Sequence, residues 1–199
     1  MTLPPSPAES GKFVRAFIAV DLGEEVKRGL RPVLAALRRR PCRVRWVAEE
    51  NLHLTVKFLG EVDGRALGEI GRALAEETAL LAPLTLEVHG LQPFPPGRSP
   101  RIVAAGVRDE GGGLARLQEA LELRMEAFGV PRERRNFRPH LTLGRVQGQG
   151  VQAEFWSRLA RDAQTAFGTA HVERVILFQS ELDPGGARYT MLATAGLQG

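Results

Sequence analysis

Two short phrases in this chain carry side chains suited to acid–base chemistry near neutral pH: His53-Leu54-Thr55-Val56 and His140-Leu141-Thr142-Leu143. In a β-strand side chains alternate between faces, so a His and a Thr two apart share one face. Leu54, Val56, Leu141 and Leu143 then point into a core. Each phrase presents an imidazole and a hydroxyl on a polar ledge with apolar backing. Two facing ledges would surround one small anion with two histidines and two threonines. The repetition is specific. With four histidines and nine threonines among 199 residues, chance places Thr two after a given His about one time in twenty, and two such hits in roughly one shuffled chain in a hundred.

A pair of imidazoles suits phosphodiester hydrolysis, because free histidine titrates near neutrality. A neutral His takes a proton from an attacking water while a protonated one gives a proton to the departing oxygen. Thr55 and Thr142 would hydrogen-bond the non-bridging oxygens, where charge gathers in the transition state. The anion itself favours the charged form of the acid His. No carboxylate or third His has the spacing to complete a zinc site, so neither metal nor cofactor is expected. His89 and His171 lack the Thr partner and read as structural.

The phrases and their flanks resemble the 2H phosphoesterase superfamily, and within it the bacterial and archaeal 2′-5′ RNA ligase family, also described as RNA 2′,3′-cyclic phosphodiesterases. The matching pieces are Arg15–Val20, the run from Trp46 to Gly60, Pro139–Arg145, and Ser180-Glu181-Leu182 followed by Gly186 and Tyr189. The resemblance implies opening of a 2′,3′-cyclic phosphate at an RNA 3′ end to leave a 2′-phosphate, with His53 as proton donor and His140 as acceptor. The motifs themselves are nearly interchangeable and do not fix that direction. Ring strain in the cyclic phosphate lets the step run without a metal ion, and its reversal with a 5′-hydroxyl would give ATP-independent 2′-5′ ligation as a side reaction. The implied partners are RNA ends, tRNA fragments among them, with no membrane and no obligate protein partner. Two other readings stay open: an RNA-binding module without useful chemistry, and a phosphodiesterase for a small cyclic nucleotide or a 2′-5′ linked oligonucleotide.

Further candidates follow from the same strands. Lys57 lies two beyond Thr55, so an unbroken strand points it at the cleft and a phosphate. Arg145 matches an arginine after the family's second motif, yet strict alternation turns it away from His140 unless Gly144 makes a bulge. Phe58 and Tyr189 are placed to stack a base, and Ser180 to help position the site; core packing or solvation is the competing fate of each. Arg132, Arg134, Arg135 and Arg138 form either an RNA-tracking patch or a solvated basic loop.

The elements that must hold these residues are legible in outline. Phe13–Asp21 reads as a strand, and a helix follows from Glu24 to Arg40 with its acidic start and basic end matching the helix dipole. Pro41 stops it. Arg43–Val47 and Leu52–Leu59 read as strands, 64–80 as a helix and Leu84–His89 as a strand. Residues 90–100, with four prolines and two glycines, read as the connection between halves. Then come a strand over 101–107, a helix over 114–128, a basic loop or short strand over 132–137, the second His strand over 139–146, a helix over 153–167, and closing strands over 171–181 and 188–193 around a Pro184-Gly185-Gly186 turn. An offset of 87 residues lays one half on the other. This predicts an α+β, bilobal fold: two lobes related by a pseudo-twofold axis, each with a mainly antiparallel sheet and two helices, with the site in the cleft between them. Residues 1–11 read as a disordered tail, and 12–199 as a single domain.

Composition agrees with a soluble globular protein, without a secretory signal, and a single cysteine, Cys42, fits the cytoplasm as a half-buried thiol. The net charge is +4, and only three of 27 basic residues are lysine. A modest positive excess suits a phosphate-bearing partner without demonstrating one.

Overall fold

The computed structural model describes residues 12–40, 42–97, 99–147, 153–183 and 186–199. The expected tail over 1–11, Pro41 and the Pro184-Gly185 part of the last turn lie outside them. In chain order the elements are β1 (Phe13–Val20), α1 (Gly23–Arg38), β2 (Val44–Trp46), β3 (Leu54–Asp63), α2 (Leu67–Thr78), β4 (Leu84–Phe94), β5 (Ile102–Arg108), α3 (Gly113–Met125), β6 (His140–Val146), α4 (Ala153–Leu159), β7 (Ala166–Val172), β8 (Arg174–Asp183) and β9 (Gly186–Gly196).

Helical spacing explains the helices. Val26, Leu30, Leu34 and Leu37 make one buried stripe on α1, and Leu114, Leu117, Leu121 and Met125 another on α3. Each such side chain, fully buried, contributes about 1.5–3 kcal/mol of transfer free energy. The strands bury alternate residues against these stripes in a single core cluster, with Ile18, Val20, Leu54, Leu86, Leu141, Leu143 and Leu177 among its members. Phe17, Ala19, Ala104 and Ile176 are buried too but stand outside that cluster. They face the other side of the sheet, which curls over them. The molecule is an α+β fold with helices on one sheet face and the His motifs on the other.

The strands form one antiparallel sheet in the order β7-β4-β5-β6-β3-β1-β8-β9, with β2 joined to β6. The 87-residue offset carries β1 onto β5, β3 onto β6 and β4 onto β8. The order therefore reads symmetrically outward from its centre, β6 with β3, β5 with β1, β4 with β8, and finally β7 with β9. A pseudo-twofold axis passes between β3 and β6. The lobes are not the sequence halves, however. β4, from the first half, pairs only with β5 and β7, and β8, from the second, pairs with β1.

Three elements differ from expectation. β4 does not end at His89 but continues through a register shift at Gly90 to Phe94, so the connection between halves shrinks to the residues after Phe94. The helix expected over 153–167 stops at Leu159, followed by a 3₁₀ turn over Ala160–Asp162. Residues 166–172 pair with β4 instead, and as a strand they bring Phe167, Ala170 and Val172 into the core. The strand expected over 171–181 is consequently two, broken at Glu173.

Candidate active site

β3 and β6 meet at a single residue pair, Leu54 opposite Leu141. Both leucines point into the core. Their neighbours His53, Thr55, His140 and Thr142, all half-buried, must therefore leave the sheet on the opposite face. Continuing the register sets His53 across from Thr142 and His140 across from Thr55. The two ledges thus share one open face.

Each imidazole is held by the same device. His53 Nδ1 lies 2.8 Å from the carbonyl oxygen of Asn51, and His140 Nδ1 lies 2.8 Å from that of Arg138. A carbonyl can only accept, so Nδ1 carries the proton in both rings and Nε2 is the atom that gains or loses one. The holding segments are themselves tied down. Asn51 Nδ2 donates to the Ala187 oxygen at 3.1 Å, at the start of β9. His140 stacks on Phe94, with ring centroids 3.8 Å apart and planes 19° apart. His53 lies against Phe17 and edge-on to Tyr189, at 4.8 and 5.1 Å.

A β-bulge falls at the last residue of each motif, and the two decide which later side chains turn to the His face. On β3, Ala19 pairs with Thr55 and Ile18 with Lys57, which leaves Val56 as the extra residue. Val56 and Lys57 consequently both turn inward, and Phe58 emerges on the His face, 62% exposed and 6.2 Å from the Phe17 ring. The expectation for Lys57 is overturned. It is 3% exposed, paired with the buried Glu122 of α3, and donates to the Pro131 oxygen at 3.0 Å. On β6, Ala104 pairs with Thr142 and Val103 with Gly144, so Leu143 is the extra residue. Gly144 then faces the core, where a Cβ would stand 2.6 Å from Val44 Cγ1 and 2.9 Å from the Trp46 ring. Arg145 turns to the His face, the outcome that strict alternation denied it.

Electrostatics agree with that placement. Burial pushes the pKa of both His53 and His140 below the ordinary imidazole range. The Asn51 and Arg138 carbonyls oppose this, and the Arg145 cation pushes each further down. The Asp21 carboxylate favours the charged form of His53 alone. Among the described residues no three His, Cys, Asp or Glu side chains converge to hold a metal ion, and no helix is long and apolar enough to cross a membrane.

Residues 26–184 match the family model of the 2′-5′ RNA ligase superfamily. The chain belongs to this superfamily. A Thermotoga maritima protein named RNA 2′,3′-cyclic phosphodiesterase is 33% identical over 186 residues, which cover 94% of this chain and 97% of that protein. A protein of the same name from Archaeoglobus fulgidus is 34% identical over 176 residues, 88% and 96% of the two chains. Among solved structures, TT0787 of Thermus thermophilus superposes with a TM-score of 0.78 at 31% identity, covering 93% of this chain and 98% of that one. Escherichia coli LigT complexed with 3′-AMP gives 0.72 at 26%, covering 94% and 100%.

Near His53, Tyr189 and Ser180 sit side by side in register on β9 and β8. Tyr189 joins Phe17, Phe178 and Phe58 in an aromatic wall beside His53. Arg132, Arg134, Arg135 and Arg138 are exposed, and Arg135 is paired with Glu133. His171 is exposed on β7 beside Thr85, away from the site, and Cys42 is half-buried with burial raising its thiol pKa. Sequence reasoning missed Phe94, the carbonyl anchors at Asn51 and Arg138, and Asp21. Only the anchors had a usable signal: both stand two residues before a motif His.

Proposed function

We propose that the chain opens 2′,3′-cyclic phosphates at RNA 3′ ends, without a metal ion, by the two imidazoles and two hydroxyls of the paired motifs. In the forward step neutral His140 Nε2 takes a proton from water as the water oxygen bonds to phosphorus. The bond from phosphorus to the 3′ oxygen breaks, and protonated His53 Nε2–H supplies the proton to that oxygen. The products are a 2′-phosphomonoester and a free 3′-hydroxyl. Thr55 and Thr142 donate to the non-bridging oxygens as charge builds on them. A 5′-hydroxyl in place of water as the nucleophile would give 2′-5′ ligation as a side reaction.

The observation that carries this reading is the matched pair of imidazoles on one sheet face, each with Nδ1 tied to a carbonyl and Nε2 left for proton transfer. Asp21 supports the direction, since its carboxylate favours a charged His53 and acts on that ring alone. The names of the relatives support the substrate. The test is turnover of an oligoribonucleotide ending in 2′,3′-cyclic phosphate with EDTA present. H53A and H140A should each lower the rate by about 10²–10⁴-fold. A rate untouched by either change, or abolished by EDTA in the wild type, defeats it.

A further inference from the structure

Arg45 and Arg145 occupy directly opposed positions of an antiparallel pair, β2 with β6. Their neighbours Val44 and Trp46 pack with the core side of Gly144, so both arginines leave the sheet on the face that carries His53 and His140. Both are exposed. Like charges placed directly across a ladder repel and destabilise the pairing. An anion seated between them converts that cost into two charge-assisted contacts, and the planar guanidinium matches phosphate oxygens two at a time.

The pair is not at the reacting centre itself but next to it. Arg145 lies near enough to disfavour a charge on either imidazole, whereas Arg45 has no such effect on them. Arg45 extends toward the start of β9, where a Cβ added to Gly186 would stand 3.6 Å from its Nη2. That strand also carries Tyr189 of the aromatic wall.

We infer that Arg45, together with Arg145, holds a second phosphate of the RNA: the phosphodiester on the 5′ side of the nucleotide whose cyclic phosphate reacts. This rests on the reading above that the substrate is an RNA end. It makes Arg45 a determinant of preference for oligonucleotides over mononucleotides.

The test compares wild type and R45Q on three substrates: a nucleoside 2′,3′-cyclic phosphate with a free 5′-hydroxyl, the same nucleotide with a 5′-phosphate, and a trinucleotide ending in that nucleotide. For R45Q, kcat/KM on the trinucleotide should fall about tenfold or more, as loss of a charge-assisted contact predicts. On the first substrate it should stay within about twofold, which also certifies the fold. The dependence of trinucleotide kcat/KM on salt should become shallower by about 0.7 in log–log slope, one single-strand phosphate contact. R45K, which keeps the charge but loses the fork, should recover part of the loss. An equal fall on all three substrates, or none on the trinucleotide, overturns the inference. A loss on the 5′-phosphorylated mononucleotide as large as on the trinucleotide also supports a phosphate subsite, with the terminal phosphate alone sufficient to fill it. Wild-type protein that opens none of the three removes the functional reading and this inference with it; equal losses in an active enzyme remove the inference alone.

Discussion

Arg145 lies in the electrostatic reach of both imidazoles, and its removal separates a charge effect from a contact effect. Burial already holds His53 and His140 below the ordinary value near 6.5, and the Arg145 cation lowers both further. In the proposed working form His53 is charged and His140 neutral, so the bell of kcat/KM, which reports the free enzyme, should lie on the acid side of 6.5. R145Q deletes a cation that disfavours each imidazolium, so both pKa values rise and both limbs move to higher pH, while the maximum falls with the lost phosphate contact. Limbs that stay put, or move to lower pH, would show that Arg145 stands farther from the rings than its field implies. At this scale the sequence was informative wherever a side chain's direction is set within its own strand: that His53 and Thr55, and His140 and Thr142, each share a face follows from alternation alone. Phe94 and Asp21 were hidden, because their relation to a His depends on a neighbouring strand that no local pattern identifies.

The bulges show why elements, and not merely residues, decide the site. Val56 and Leu143 are ordinary strand residues, and an extra residue in a ladder leaves no mark in composition, so alternation beyond each motif was misjudged by one step. That step exchanges Lys57 for Phe58 on one side and admits Arg145 on the other. Lys57 instead becomes a buried brace: with Glu122, which also accepts from the Glu133 amide and from Gln118 at 2.9 Å each, it fixes the loop leading to Arg138 and His140. K57M leaves the Glu122 charge buried without its partner and should cost about 3–5 kcal/mol of stability in urea unfolding. K57M/E122Q, which removes the charge but keeps an acceptor for the Glu133 amide, should recover much of that. Below its melting range, K57M should open cyclic phosphate within a few-fold of wild type. A loss of a hundredfold in a folded K57M would return Lys57 to the phosphate.

The whole molecule is built on a strand exchange that the 87-residue offset reveals only in part. The repeat itself is legible, since it compares like with like along the chain. Which half each strand joins is not, because β4 and β8 find their partners through tertiary packing: β4 lies between β5 and β7, and β8 between β1 and β9. The side of the sheet built on β1 and β3 of the first half therefore takes β8 and β9 from the second, and the side built on β5, β6 and β7 of the second takes β4 from the first. The His motifs meet where the two sides join, at Leu54 and Leu141. We expect the chain to behave as one cooperative unit, in line with the single core cluster. Cutting it in the loop after Phe94 supplies the test. Fragments 1–97 and 98–199, made separately, should show little fixed near-ultraviolet circular dichroism. Mixed during refolding, they should recover the native spectrum and cyclic-phosphate opening together, because β4 can regain β5 and β7, and β8 can regain β1, only across the cut. A fragment that folds stably by itself would mean that a sequence half is a domain after all, and that the exchanged strands are dispensable to it.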